Sequence, residues 1–90
     1  MRTAVLDGSE IFDREQLHDE LQEKLELPEW YGRNLDALYD CLTDIAEKLE
    51  IRLINRDALE EHLGNYAERL VQVLTLAALE NFSIRVEFTA

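Results

Sequence analysis

The sequence predicts an α/β fold in which a three-stranded parallel sheet is flanked by about four helices. Three short segments have the apolar composition of strands, at residues 3–6, 51–54 and 83–88. Each interval between them contains two segments with apolar residues at helical spacing. Parallel strands require long crossover connections, so this β-α-α-β-α-α-β order favours a parallel sheet. We expect residues 1–90 to form a single domain, because a chain of this length holds one core.

The first helix has clear start and stop signals. Asp13 is a suitable N-cap, and Gln16 three residues later completes a capping box. Phe12 before the cap and Leu17 at the fourth helical position match a hydrophobic staple. The residue before Pro28 avoids the α region, so the helix is expected to end at Leu27-Pro28. Its predicted buried stripe is Leu17, Leu21 and Leu25.

The remaining helices follow from caps and breakers. A second helix is predicted from Asn34, a good N-cap, to about Glu47. A short third helix opens at Asn55 or Arg56 and runs through Leu63, where Gly64 is expected to stop it in the left-handed region. A longer fourth helix covers residues 66–80, and it is apolar on almost all sides.

Charge is the unusual feature of the composition. Nine basic residues against twenty acidic ones give a formal net charge of −11. Such a surface repels phosphate and attracts cationic partners, so direct nucleic-acid binding is not expected. Acidity that only keeps the protein soluble remains the simple alternative.

Other function classes find little support. Cys41 is the single cysteine, so no internal disulfide and no cysteine-based metal site is expected, which fits a cytoplasmic location. No apolar run suggests a signal peptide or a membrane span. We expect no cofactor and no bound metal. His18 and His62 lack an evident nucleophile partner and are predicted to be surface or helix-packing residues.

The second helix separates leucine from aspartate. With about 100° per residue, Asp36, Asp40 and Asp44 fall within roughly 80° of one another, opposite an apolar side. That apolar side contains Leu35, Leu38, Cys41, Leu42 and Ile45. Like charges four residues apart destabilise a helix by about 0.2–0.5 kcal/mol per pair. A solvated charged face is the ordinary interpretation, and a binding surface is the functional one. A catalytic carboxylate pair is disfavoured, because these residues should lie on a convex surface.

The loop before this helix strengthens the binding interpretation. Trp30 and Tyr31 adjoin a glycine and cannot both be buried easily in a short connection. We expect one ring to close the core, and Tyr31 is the better candidate. Tyr39 is placed beside the aspartates, where a core has no use for it. Exposed Trp and Tyr are typical of interface hot spots.

Three stretches now carry a resemblance: Pro28-Glu29-Trp30-Tyr31-Gly32, Asn34-Leu35-Asp36-Ala37-Leu38 and Asp40-Cys41-Leu42-Thr43. They closely resemble the barstar family, intracellular protein inhibitors of barnase-like bacterial ribonucleases. The similarity extends over nearly the whole chain. It implies a three-stranded parallel sheet and an inhibitor that is not an enzyme. It also implies that the acidic helix and its loop plug the basic active site of a secreted ribonuclease.

The resemblance also suggests which residues bind. Asp40 matches the principal carboxylate of the family, which takes the place of a substrate phosphate, and Asp36 matches its acidic neighbour. The complete predicted partner-binding set is Trp30, Asn34, Leu35, Asp36, Tyr39, Asp40, Thr43, Asp44 and Leu76.

Four departures from the family pattern concern the partner. The aromatic residues at Trp30 and Tyr39 are exchanged, Asp44 replaces a glycine, and Ile45 replaces an aromatic residue. Leu76 stands where the family has an acidic contact. The alternative is therefore an acidic immunity module for a different basic protein or toxin nuclease. The free chain is expected to be a monomer, although the apolar last helix could instead mark a homodimer patch.

Overall fold

Three parallel strands and four α-helices alternate as the sequence predicts. The computed structural model describes residues 1–90. The elements are β1 (Arg2–Asp7), a 3₁₀ turn (Gly8–Glu10), α1 (Arg14–Lys24), α2 (Leu35–Thr43), β2 (Leu49–Ile54), α3 (Arg56–Leu63), α4 (Asn65–Glu80) and β3 (Ile84–Phe88). The strand order is β1-β2-β3, and both pairings are parallel. The predicted α/β class and parallel sheet are confirmed.

One face of the sheet carries the core. Ala4 and Leu6 of β1 are buried, whereas Val5 between them is exposed. In register with them, Ile51 and Leu53 of β2 are buried on the same side. The open face is polar, with Arg52 at its centre, 3.1 Å from a carboxylate oxygen of Glu50 and 3.9 Å from one of Glu87. This burial pattern indicates a two-layer structure, although parallel sheets are usually covered on both faces.

Helix α2 is shorter than predicted. It ends at Thr43 instead of near Glu47, and Asp44 is its C-cap. Asn81, at the end of α4, provides the physical reason. Its side-chain amide donates to the backbone carbonyls of Leu42 at 2.9 Å and Ile45 at 2.8 Å. Because these carbonyls have partners outside the helix, the chain can leave the helical path there.

Helix α1 also ends early, at Lys24 instead of Leu27-Pro28. The chain turns at Glu26, which has a left-handed φ of 54°. Leu25, the C-cap, bonds through its backbone N–H to the carbonyl of Leu21. The left-handed backbone of Glu26 therefore ends the helix, two residues before Pro28.

The cap of α1 is confirmed, but the staple is wrong. Asp13 accepts from the backbone N–H of Gln16 at 2.7 Å. The Gln16 side chain returns to the N–H of Phe12 instead of that of Asp13. The Phe12 ring is 62% exposed and lies 4.5 Å from the ring of His62, so it does not cover Leu17.

Gly64 joins α3 to α4 with a backbone that differs from the predicted one. Its φ of 60° is positive as expected, but its ψ of −133° lies outside the left-handed helical region. This region is accessible almost only to glycine. The chain can therefore begin α4 at Asn65 directly after α3, which places α4 against α2.

Candidate functional site

Helix α2 has the two faces that its sequence predicts. Leu38 and Leu42 are fully buried, and Cys41 is nearly so. Asp36, Asp40 and Asp44 are exposed on the opposite side, and we call them the acidic face. Burial of the leucine side fixes the rotation of the helix. The aspartates face solvent because the leucine side of the helix packs against the core.

The acidic face forms no ion pair within the protein. None of the ion pairs in the structure includes Asp36, Asp40 or Asp44. Their carboxylates accept no hydrogen bond from the protein either. Asp44 in addition lies at the helix C-terminus, where the macrodipole disfavours negative charge. These carboxylates are available to a partner and contribute nothing visible to folding.

The single thiol beneath this face is not a nucleophile. Burial raises the pKa of Cys41, and the charges of Asp40 and Asp44 raise it further. The thiolate is the reactive form of cysteine, so these surroundings disfavour reactivity of Cys41, which packs in the core.

Tyr31 is buried and Trp30 is exposed, as predicted. Tyr31 is 4% exposed and closes the core, whereas Trp30 is 76% exposed. Trp30 and Asp44 both line a small cavity of about 150 Å³ beside α2. Tyr39 corrects the sequence analysis, because it is half-buried and packs against the core edge. Trp30 is therefore the free aromatic anchor of this surface.

Arg33 holds the loop of residues 25–34, which we call the motif loop, against α1. Its backbone is left-handed, with a φ of 56°. Its guanidinium donates to the Asp19 carboxylate at 2.6 Å, to the backbone carbonyl of Glu15 at 3.1 Å and to the Gln22 side chain at 3.1 Å. These contacts of Arg33 were not predicted from the sequence. Arg33 lies inside the recognised motif, but its partners are more than ten residues away.

A buried histidine supports the motif loop from below. His18 is 3% exposed, which excludes the predicted surface position and fits the alternative of a helix-packing residue. Its Nδ1 lies 2.6 Å from the hydroxyl of Tyr31 and its Nε2 lies 2.7 Å from that of Tyr66. A neutral imidazole has one donor and one acceptor nitrogen, so one tyrosine donates and the other accepts. Burial lowers the pKa of His18, and the nearby positive charge of Arg33 lowers it further. Its spacing from Leu21 and Leu25 is the helical signal that could have revealed it.

The acidic face borders a depression, which corrects the expectation of a convex surface. Asp36, Tyr39 and Asp40 of α2 line an open groove of about 340 Å³ together with Val73 and Leu76 of α4. Leu76 is 52% exposed there. The predicted set thus includes residues from both helices that meet at one surface.

The other predicted residues have mainly structural contacts. Asn34 caps α2 by accepting from the N–H of Ala37 at 2.7 Å, and its amide donates to the carbonyl of Gly32. The Thr43 hydroxyl donates to backbone carbonyls of its own helix. Leu35 is 4% exposed, because it belongs to the leucine side of α2. The structure therefore places Leu35 in the core, and its predicted contact with a partner stays a prediction.

Other kinds of site receive no support from the geometry. No group of three or more His, Cys, Asp or Glu side chains is arranged to hold a metal ion. None of the helices combines the length and the hydrophobicity that crossing a membrane requires.

Comparison with known proteins assigns the family. The sequence profile described as "Barstar (barnase inhibitor)" matches residues 1–89. A protein of Bacillus subtilis (strain 168) named "Putative ribonuclease inhibitor YrdF" is 41% identical over 91 residues. That alignment covers 97% of this chain and 100% of the relative. The chain therefore belongs to the barstar family of ribonuclease inhibitors, and it is an inhibitor and not an enzyme.

Proposed function

We propose that this protein inhibits a small, basic, secreted ribonuclease of the barnase type by placing α2 and the motif loop in its active site. The observation that carries the proposal is the acidic face, with three exposed carboxylates that have no partner within the protein. A ribonuclease active site binds phosphate and is therefore cationic. Carboxylates on an ordered helix can form charge-assisted hydrogen bonds with its Arg and Lys side chains.

Asp40 has the central role in this proposal. It lies one helical turn from Asp36 and one from Asp44, so the three carboxylates extend over about 12 Å along the helix axis. Asp40 would occupy the position of a substrate phosphate, with its neighbours contacting cations on either side. The net charge of −11 should accelerate association with a cationic enzyme and make the rate fall with added salt.

The rigidity of the surface supports tight binding. Arg33 and the His18–Tyr31 hydrogen bond hold the motif loop before any partner arrives. Ordering a loop on binding costs free energy, and here little of that cost remains. Trp30 then offers a large exposed ring at a fixed position, as interface hot spots do.

We further propose that the protein acts as a monomer in the cytoplasm, where it would protect the cell that makes the ribonuclease. A cytoplasmic inhibitor needs no cofactor for this role. Light scattering of the free protein and of the mixture with the enzyme would test the one-to-one stoichiometry.

A ribonuclease-inhibition assay tests the proposal directly. We would titrate the purified protein into barnase and into small basic ribonucleases captured from the source organism. Asp40→Asn should weaken inhibition by about 2–5 kcal/mol, or about 30-fold to several thousand-fold, because a charged contact loses its partner. Glu68→Gln, which changes the charge equally on another helix, should not. Equal inhibition by both variants would reject the assigned role of the acidic face.

A different nuclease is the second candidate, and Leu76 favours it. A half-exposed leucine beside two carboxylates offers apolar contact where a purely cationic pocket would prefer acid. A panel of basic ribonucleases and DNase-type toxins would separate the candidates. Inhibition of a DNase with no effect on any ribonuclease would identify the alternative as correct.

A further inference from the structure

Three arginines line one open cavity of about 490 Å³ beside the acidic face. Arg14 comes from the start of α1, Arg33 from the motif loop and Arg69 from α4. Two of them, Arg14 and Arg69, lie over the ring of Tyr66. The guanidinium carbon of Arg14 is 4.2 Å from the ring centre, and that of Arg69 is 5.8 Å from it. Three separate elements thus bring cationic side chains together in a strongly acidic protein.

Two of these guanidinium groups have no anion. Arg33 is paired with Asp19, but neither Arg14 nor Arg69 forms an ion pair or donates a hydrogen bond within the protein. Both are exposed, and stacking on Tyr66 limits their orientations. A guanidinium has five donors in a planar fork, and that fork matches the oxygens of a carboxylate or phosphate.

The start of α2 forms another side of this cavity. Asn34, Leu35 and Asp36 line it. The backbone N–H groups of Leu35 and Asp36 belong to the first turn and have no acceptor in the protein, since Asn34 caps only Ala37. The partial positive charge of a helix N-terminus adds to the field of the arginines.

Two carboxylates also line the cavity and oppose an anion. These are Glu15 and Asp36, against three guanidinium groups. Because Asp19 already pairs with Arg33, the charges around the cavity are nearly balanced, and its available anion-binding groups are the unpaired guanidiniums of Arg14 and Arg69. A ligand with a single oxyanion group suits this balance better than a polyanion, which the remaining negative charge of the protein would repel.

We propose that this arginine cavity is a binding site for a single oxyanion, the carboxylate or phosphate group of a ligand. Arg14 and Arg69 form the principal contacts, and Tyr66 holds them in place. Asp36 borders both this cavity and the groove between α2 and α4. If the proposed inhibition is correct, a docked ribonuclease covers the cavity and supplies a carboxylate, because uncompensated arginines are costly to bury. The ribonuclease carboxylate as the ligand rests on the proposed function, whereas the oxyanion site itself does not.

A titration with inorganic phosphate tests the site without any partner. The Nε–H resonances of the arginines would be followed by NMR at constant ionic strength, with sodium chloride as the balancing salt. We expect saturable shifts at Arg14 and Arg69. The double variant Arg14→Gln/Arg69→Gln should weaken phosphate binding at least tenfold. Arg85→Gln, which removes an exposed and unpaired arginine of β3, should bind as the unchanged protein does.

The outcomes are distinguishable. Shifts that do not saturate in the unchanged protein would overturn the site. Saturable shifts at Arg33 with unchanged affinity in the double variant, whose circular dichroism is unchanged, would also overturn it. Where the site is present, ribonuclease inhibition by the double variant identifies the source. Weaker inhibition indicates a carboxylate of the partner, and unchanged inhibition indicates a free phosphate ligand. Failure of the unchanged protein to inhibit any ribonuclease would reject the proposed function, yet the phosphate titration would still decide the site.

Discussion

Replacing Asp40 by Asn should make the protein more stable and a weaker inhibitor at the same time. The substitution preserves shape and has nearly the same helix propensity, so it changes charge alone. Asp40 has a like charge four residues away on both sides, at Asp36 and Asp44, and no cation nearby. Removing it eliminates two repulsive pairs.

The expected gain follows from those two pairs. At about 0.2–0.5 kcal/mol each, the free energy of unfolding should rise by about 0.4–1 kcal/mol. For a domain of this size that corresponds to an increase in Tm of about 2–8 °C. Glu68→Gln is the matched control, because Glu68 lies in the first turn of α4 and the helix dipole favours its charge. That variant should be unchanged or slightly less stable.

Urea denaturation at low ionic strength measures the stability term, and ribonuclease inhibition measures the functional one. The stability gain should shrink in high salt, because exposed charges are screened. A loss of stability in Asp40→Asn would show that the carboxylate has a folding role. It would contradict the conclusion that Asp40 contributes nothing to folding and is free for a partner.

Three further outcomes are expected. Tyr31→Phe should lower the free energy of unfolding by about 1–3 kcal/mol in urea, since a buried histidine nitrogen loses its partner, whereas Tyr39→Phe should change it little. The free energy of unfolding should fall as pH drops from about 6.5 towards the lowered pKa of His18, because the unfolded chain binds the proton more readily than the folded one. The decrease should be at most about 1.4 kcal/mol per pH unit. In denaturation curves measured across pH, a His18→Gln variant should lack this component. Leu76→Glu should tighten binding to barnase and speed association in stopped-flow experiments, because it adds a carboxylate to the groove; unchanged or weaker binding would reject a cationic contact there.

The periodic features of the chain were predictable from sequence. The rotation of α2 follows from four apolar residues on one side, and the burial of Tyr31 follows from the short loop that contains it. Both depend on residues close together in the chain. The parallel sheet was predictable for a similar reason, because connection length alone distinguishes a crossover from a hairpin.

The supports of the site were not predictable in the same way. Arg33 forms hydrogen bonds with α1. His18 contacts two tyrosines that are 13 and 48 residues away in sequence and become its neighbours only after folding. The early end of α2 depends on Asn81, nearly forty residues downstream. Local patterns contain no information about such partners. The groove beside the acidic face was missed for the same reason, since α4 supplies two of its five lining residues.

The anchoring of the motif loop to α1 has an evolutionary consequence. Arg33 is fastened by side chains that do not belong to the recognition surface, while Trp30 and Leu76 project from it with little part in the core. If the proposed inhibition is correct, the residues that contact the enzyme and the residues that stabilise the fold are largely different. Mutation of Trp30 or Leu76 could then change which enzyme is bound, while Arg33 and its partners stay constant. Under that proposal, related proteins could adapt to different enzymes while keeping the same fold.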